Sequence, residues 1–262
     1  MTIAPEAETV ATAYSQPSDR RGRFYAVKRL GTPVLVAVVL LVLYVWVHSR
    51  TLDSIEQRTL NREYLTTTTW QHLKLTVVAT VLIVLIAIPA GILLSRTRSR
   101  AVTATVLGLA NIGQAAPAIG VLVLLTIKFG VGFKIALIGL VAYAVLPVLR
   151  NTLIGIQQVD PNLVEAARGM GMTAGQTLRR VELPMAVPVI LAGLRTALVF
   201  CVGVATLATF VNAGGLGDII VNGIKLNRTP VLVTGSVIVA SIALILDWVG
   251  GLVEERLRPS GT

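Results

Sequence analysis

Residues 160–184 read DPNLVEAARGMGMTAGQTLRRVELP. The stretch is polar and short, and long apolar runs flank it on both sides. Asp160 supplies an acceptor for the free N–H groups of a helix that Pro161 opens. Leu163, Val164 and Ala167 fall within one turn of each other. Glu165 and Arg168, three apart, point elsewhere. Gly169 and Gly171 are placed to end this helix. Thr173 and Gln176 form a T-x-x-Q capping box that starts a second helix, and Pro184 is expected to stop it. The reading is two short helices at a sharp angle, held by membrane helices on both sides and shaped to be gripped by another protein.

The rest of the chain supplies that membrane setting. Hydrophobic residues make up 54% of it and charged residues 14%, with a mean hydropathy of +0.78. A soluble domain is about 25% charged. The chain therefore reads as an all-α integral membrane protein. Its net charge of +10 is assigned to Lys and Arg at the cytoplasmic ends of spans, with no nucleic-acid partner. The single cysteine, Cys201, lies in an apolar run. It can form no disulfide within the chain and belongs to no metal set, and it reads as a small buried hydrophobe.

About six spans are expected, with both termini cytoplasmic. Residues 1–29 read as a disordered basic cytoplasmic tail. Residues 30–253 form the transmembrane domain, with a cytoplasmic loop at 151–186, and 254–262 form a cytoplasmic C-terminal tail. The spans are placed at 30–47, 73–94, 101–127, 135–149, 187–211 and 231–253. The first carries no A-x-A site and reads as uncleaved. A charged connector at 50–64 is expected to hold an interfacial helix. Pro89 and Gly91 are expected to break the second span near its end. His48 and His72 are expected as solvated side chains at the outer face. Residues 212–229 are expected to form a glycine-rich outer loop. The excess of Lys and Arg then falls inside, as the positive-inside rule requires.

Glu165-Ala166-Ala167, three residues, Gly171, nine residues, then Val181-x-Leu183-Pro184 resembles the EAA loop of ABC-importer permeases, E-A-A-x3-G-x9-I-x-L-P. The departure is Val181 for Ile. Within that superfamily, LPVLRNT at 146–152, GMGM at 169–172 and NAGGLGD at 212–218 look like permeases for osmoprotectants such as glycine betaine, choline and carnitine. The resemblance covers roughly residues 70–252. It implies a type I ABC-importer permease fold in a bacterial cytoplasmic membrane. It also implies three partners: an ABC ATPase subunit, a second permease subunit (the same chain or a paralogue) and an extracytoplasmic substrate-binding protein. Glu165, Ala166, Ala167, Arg168, Gly169, Gly171, Leu183 and Pro184 would then couple to the ATPase. No cofactor is expected in this chain, since ATP and Mg would bind the ATPase. The rivals are an importer for another small solute such as an amino acid, and a secondary transporter or channel in which the loop is merely structural.

The sequence also lacks the marks of an enzyme. No G-x-x-x-x-G-K-[ST] occurs, nor H-E-x-x-H, nor a nucleophile elbow. Asn111, Gln114, Thr206, Thr209 and Asn212 are polar groups in or near spans and candidates for a translocation path. Gly214, Gly215 and Gly217 are candidates for an outer gate, because glycines allow close backbone approach and hinging. Tyr143, Phe200 and Phe210 are scattered along the sequence and read as packing residues. High-affinity recognition of a quaternary ammonium group is therefore expected in the separate binding protein. Arg195 lies eight residues, about 12 Å, inside the fifth span, and Asp247 about 7.5 Å inside the antiparallel sixth. The depths differ by about one turn, so the two are expected to form a structural ion pair. Glu182 or lipid headgroups are the alternatives for Arg195.

Overall fold

The computed structural model describes residues 18–257, and the described residues contain helices and no strand. The chain runs through α1 (Ser18–His48), α2 (Ser54–Thr59), α3 (Arg62–Arg96), α4 (Arg100–Ala115), α5 (Ala118–Phe129), α6 (Phe133–Gln157) and α7 (Pro161–Gly169). It continues through α8 (Ala174–Thr177), a π-helical turn (Leu178–Glu182), α9 (Leu183–Ala205), a 3₁₀ turn (Thr206–Val211), α10 (Leu216–Lys225) and α11 (Thr229–Leu257). Among the described residues five segments are long and apolar enough to cross a membrane, and the bent pair α4–α5 brings the number to six if it counts as one span.

The ends of the chain bear on the tail expectations. Residues 1–17 and 258–262 lie outside the described residues. From Ser18 the backbone is already helical, because residues 23–30 hold neither Gly nor Pro and join the apolar run without a break. The connector holds its expected short helix, α2, with Asp53 and Glu56 forming a capping box. Asp53 also receives Arg228 at 2.8 Å, which ties the connector to the start of α11 on the same side of the molecule.

Of four prolines in or beside spans, two stand at helix boundaries and two are taken up inside helices. The third span is two helices bent by 97°. Pro117 has no N–H and holds Ala116 extended, at φ −67° and ψ 144°. Pro89, by contrast, sits inside an unbroken α3. Pro184 does not stop the second loop helix. It occupies the first turn of α9, where a missing N–H costs little, and the π turn before it absorbs the change in hydrogen bonding. Pro188 is likewise accepted within α9.

Small residues build the centre. Ala79, Ile83 and Ala87 of α3, Ala136, Leu140, Ala144 and Val148 of α6, and Ala197, Cys201 and Ala205 of α9 form one buried cluster. The four-residue spacing puts each set on one face. Alanines let the backbones approach, so dispersion rather than the hydrophobic effect holds the spans together in lipid. Gly193 shows how close α9 and α6 come: a Cβ there would lie 2.7 Å from the Pro147 carbonyl oxygen.

Two further expectations are corrected. His72 is 0% exposed. Its Nε2 lies 3.1 Å from the Val202 carbonyl, which can only accept, so Nε2 carries the proton. The reason is register: Thr68, His72, Thr76 and Thr80 recur every fourth residue and all four are buried. Secondly, residues 212–229 are not one open loop, since α10 fills most of that stretch. Leu216, Ile219 and Gly223 share its buried face, against Val231 of α11.

Candidate coupling loop and translocation face

The loop at 160–184 is built largely by local caps. Asp160 Oδ1 accepts from Asn162 N–H at 2.9 Å, and Pro161 opens α7. At the other end Met172 N–H donates to Ala167 O at 3.1 Å and Gly171 N–H to Arg168 O at 2.9 Å. Those two bonds, with Gly171 at φ +86°, are a Schellman ending. It needs a residue without a Cβ at Gly171. Thr173 then caps α8 reciprocally with Gln176, at 3.3 and 2.8 Å. Only α7 is a free-standing helix, because α8 runs through the π turn into α9.

Glu165, Ala166, Arg168 and Gly169 are exposed on α7. Ala167 is only 1% exposed and turns inward. It seats α7 on the body rather than offering surface. Leu183 and Pro184 stand at the junction of the π turn and α9. Behind α7 lies a cavity of about 580 Å³, lined in part by Arg96, Gln157, Val164, Glu165, Arg168 and Glu182. Glu182 is 3% exposed and ion-paired with Arg96, the last residue of α3. This contact fastens the π turn to the end of another span, so Glu182, the alternative partner for Arg195, pairs with Arg96 instead.

Arg195 and Asp247 are joined. Arg195 Nε donates to Asp247 Oδ1 at 3.0 Å, and Nη2 reaches both oxygens at 2.9 Å. Nη1 adds Glu254 at 3.0 Å, an acid the sequence reading placed in the tail. Asp247, Gly250, Gly251 and Glu254 follow one face of α11 at helical spacing. A Cβ at Gly250 would lie 2.6 Å from Arg195 Cγ, so the glycine makes the seat that the arginine stem fills.

The path and gate candidates fall into two places. Asn111 is exposed and Gln114 half-buried on α4. Thr206 and Thr209 are half-buried in the 3₁₀ turn beyond α9, and Thr206 Oγ1 donates to Gly203 O at 2.6 Å. Asn212 is exposed in the left-handed conformation, at φ 55° and ψ 40°. Gly214 and Gly215 follow at φ +73° and +104°. These glycines are pinned: Gly215 N–H donates to Gln71 Oε1 at 3.0 Å. Gly217 meets the 3₁₀ turn so closely that a Cβ would overlap the Thr206 carbonyl oxygen. Gln71 and His72, which hold this corner, are the residues sequence reasoning missed. The buried polar register of α3 was the available signal for His72.

Residues 87–259 match the family described as binding-protein-dependent transport system inner membrane component. The chain is 41% identical over 193 residues to the choline transport system permease protein OpuBB of Bacillus subtilis, across 74% of this chain and 88% of that one. It is 44% identical over 191 residues to the carnitine transport permease protein OpuCB of Listeria monocytogenes, across 73% and 87%. It is 38% identical over 232 residues to the osmoprotectant import permease protein OsmY of Salmonella typhimurium, across 88% and 96%. Among solved structures, the inward-facing MetNI methionine ABC transporter aligns with a TM-score of 0.67 at 26% identity, over 74% of this chain and 96% of that one.

Proposed function

We propose a function from the premise that this chain belongs to the binding-protein-dependent transport system inner membrane components: it is the multi-pass, non-catalytic permease subunit of an importer for osmoprotectants of the quaternary ammonium type. The solute class rests on relatives named for choline, carnitine and osmoprotectant transport. Glycine betaine, choline and carnitine share a trimethylammonium group, so one path can serve all three.

The observation that carries the coupling role is the build of α7. It presents Glu165, Ala166, Arg168 and Gly169 outward, while Ala167, the Gly171 ending and the Asp160 cap fix its pose. An ATPase subunit that holds ATP and Mg would grip that outer face. Its motion would reach the spans through α8 and the π turn, which continue without a break into α9. A second permease subunit would complete the path, and an external binding protein would deliver the solute.

The test is co-purification of the ATPase with the intact chain, followed by uptake of choline and glycine betaine in sealed vesicles. Copies carrying Glu165→Lys should insert normally and lose the ATPase. An amino-acid importer is the second reading, favoured by the likeness to a methionine transporter. Methionine uptake in the same vesicles separates the two.

A further inference from the structure

Phe200 of α9 and Tyr143 of α6, scattered in the sequence, stand together in space. Their rings meet edge to face, with centroids 6.0 Å apart and planes at 69°. Phe200 also lines a cavity of about 380 Å³ together with Arg195, Thr196, Val199 and Asp247. Ligand sites run from about 300 to 1,000 Å³, so this one is small.

The cavity wall carries one guanidinium, Arg195, and one carboxylate, Asp247. Glu254, outside the wall, shares that guanidinium with Asp247, so Asp247 is only partly neutralised. Asp247 is still 44% exposed beside the cavity. Its oxygens face Arg195 on one side and keep open lone pairs on the other. An aromatic ring beside a carboxylate is the chemistry that attracts a quaternary ammonium group.

The cavity opens on an exposed face of α9. Thr206, Gly203, Val199, Thr196 and Ala192 recur at three- and four-residue steps, so they share one face of α9 and its 3₁₀ extension. Gly203, Val199 and Thr196 on that face are exposed. The face runs from the pinned Gly217 corner at one end to the Arg195–Asp247 pair at the other. Turned to lipid, a half-exposed carboxylate in a span would be costly. Turned to a water-filled path, it is solvated.

We infer that this cavity is a transit site for the trimethylammonium end of the solute, with Phe200 supplying the ring and Asp247 the countercharge. This rests on the osmoprotectant reading given above. The site is shallow and holds a single ring at its wall, so it binds weakly and releases.

The complete transporter, with its ATPase and binding protein in proteoliposomes, tests this with labelled choline. Phe200→Leu should lower the choline uptake rate roughly three- to tenfold, the range expected for losing one cation–ring contact. Phe200→Tyr should stay within about twofold, as the ring is kept. ATP hydrolysis stimulated by the loaded binding protein should stay within about twofold in both. Thr196→Lys, which places an ammonium group at the exposed cavity mouth, should cut uptake more than about tenfold in a complex of normal yield. Wild-type uptake of choline with unchanged rates in Phe200→Leu and Thr196→Lys would overturn the site and leave the osmoprotectant reading standing. Failure of the wild type to take up choline, glycine betaine or carnitine would overturn both.

Discussion

Arg195 of α9 grips Asp247 of α11 through two of its nitrogens, at 3.0 and 2.9 Å, and turns its third to Glu254. The contact ties the last two spans where each would otherwise carry a lone charge. Losing one partner strands the other, at about 2.5–3.5 kcal/mol for a fully lipid-exposed charge and less for groups as exposed as these. The triad predicts an asymmetry. Arg195→Leu strands two acids and should lower folded yield the most. Asp247→Leu leaves Arg195 with Glu254 and should cost less. The double change should recover part of the Arg195→Leu loss. Yields measured by size-exclusion chromatography in mild detergent check this. Strictly additive losses would show that the residues act independently.

That pair was legible from counting alone, because depth in an antiparallel pair of spans follows from helical rise. The loop caps were legible for a similar reason: Asp160, Gly171, Thr173 and Gln176 act within a few residues of themselves. Other features were hidden by their range. Arg96 and Glu182 are 86 positions apart, and nothing local says that they meet. Apolar length alone does not show the bend at Pro117, where the missing N–H decides the backbone. Gly214, Gly215 and Gly217, at the start of α10, point to a loop, although Leu216, Ile219 and Gly223 have helical spacing. Tyr143 and Phe200 looked scattered for the same reason that Arg96 and Glu182 did.

Gly171 carries the left-handed ending of α7. Gly171→Ala should destabilise that ending by about 1–2 kcal/mol and reduce ATPase co-purification, with the membrane-embedded part unaffected. Gly175→Ala, in open space within α8, is the control and should leave co-purification unchanged. Amide hydrogen exchange over 161–173 reads the local effect directly.

Gly217 has no room for a side chain beside the Thr206 carbonyl. Gly217→Ala should force α10 away from the 3₁₀ turn, at about 1–3 kcal/mol. Gly108→Ala, in open space on α4, should be neutral or slightly stabilising. Thermal melts of the purified subunit compare the two. Equal Tm values would mean that the corner adjusts freely.

Ser99 and Thr173 are both exposed and fall at the expected cytoplasmic side. Cysteines placed there, in a Cys201→Ala background, should resist an impermeant thiol reagent in intact cells. A cysteine at Lys225, at the end of α10, should react. Labelling of Ser99→Cys or Thr173→Cys from outside would invert the orientation.

The central claim is that this chain imports a quaternary ammonium solute under the drive of a separate ATPase seated on α7. The most direct measurement is uptake of labelled glycine betaine and choline into proteoliposomes that hold the chain, its ATPase and its binding protein. The account predicts uptake that requires ATP, the binding protein and the ATPase together, and that is lost in Glu165→Lys. Uptake by the chain alone, driven by an ion gradient with no ATPase present, would contradict it.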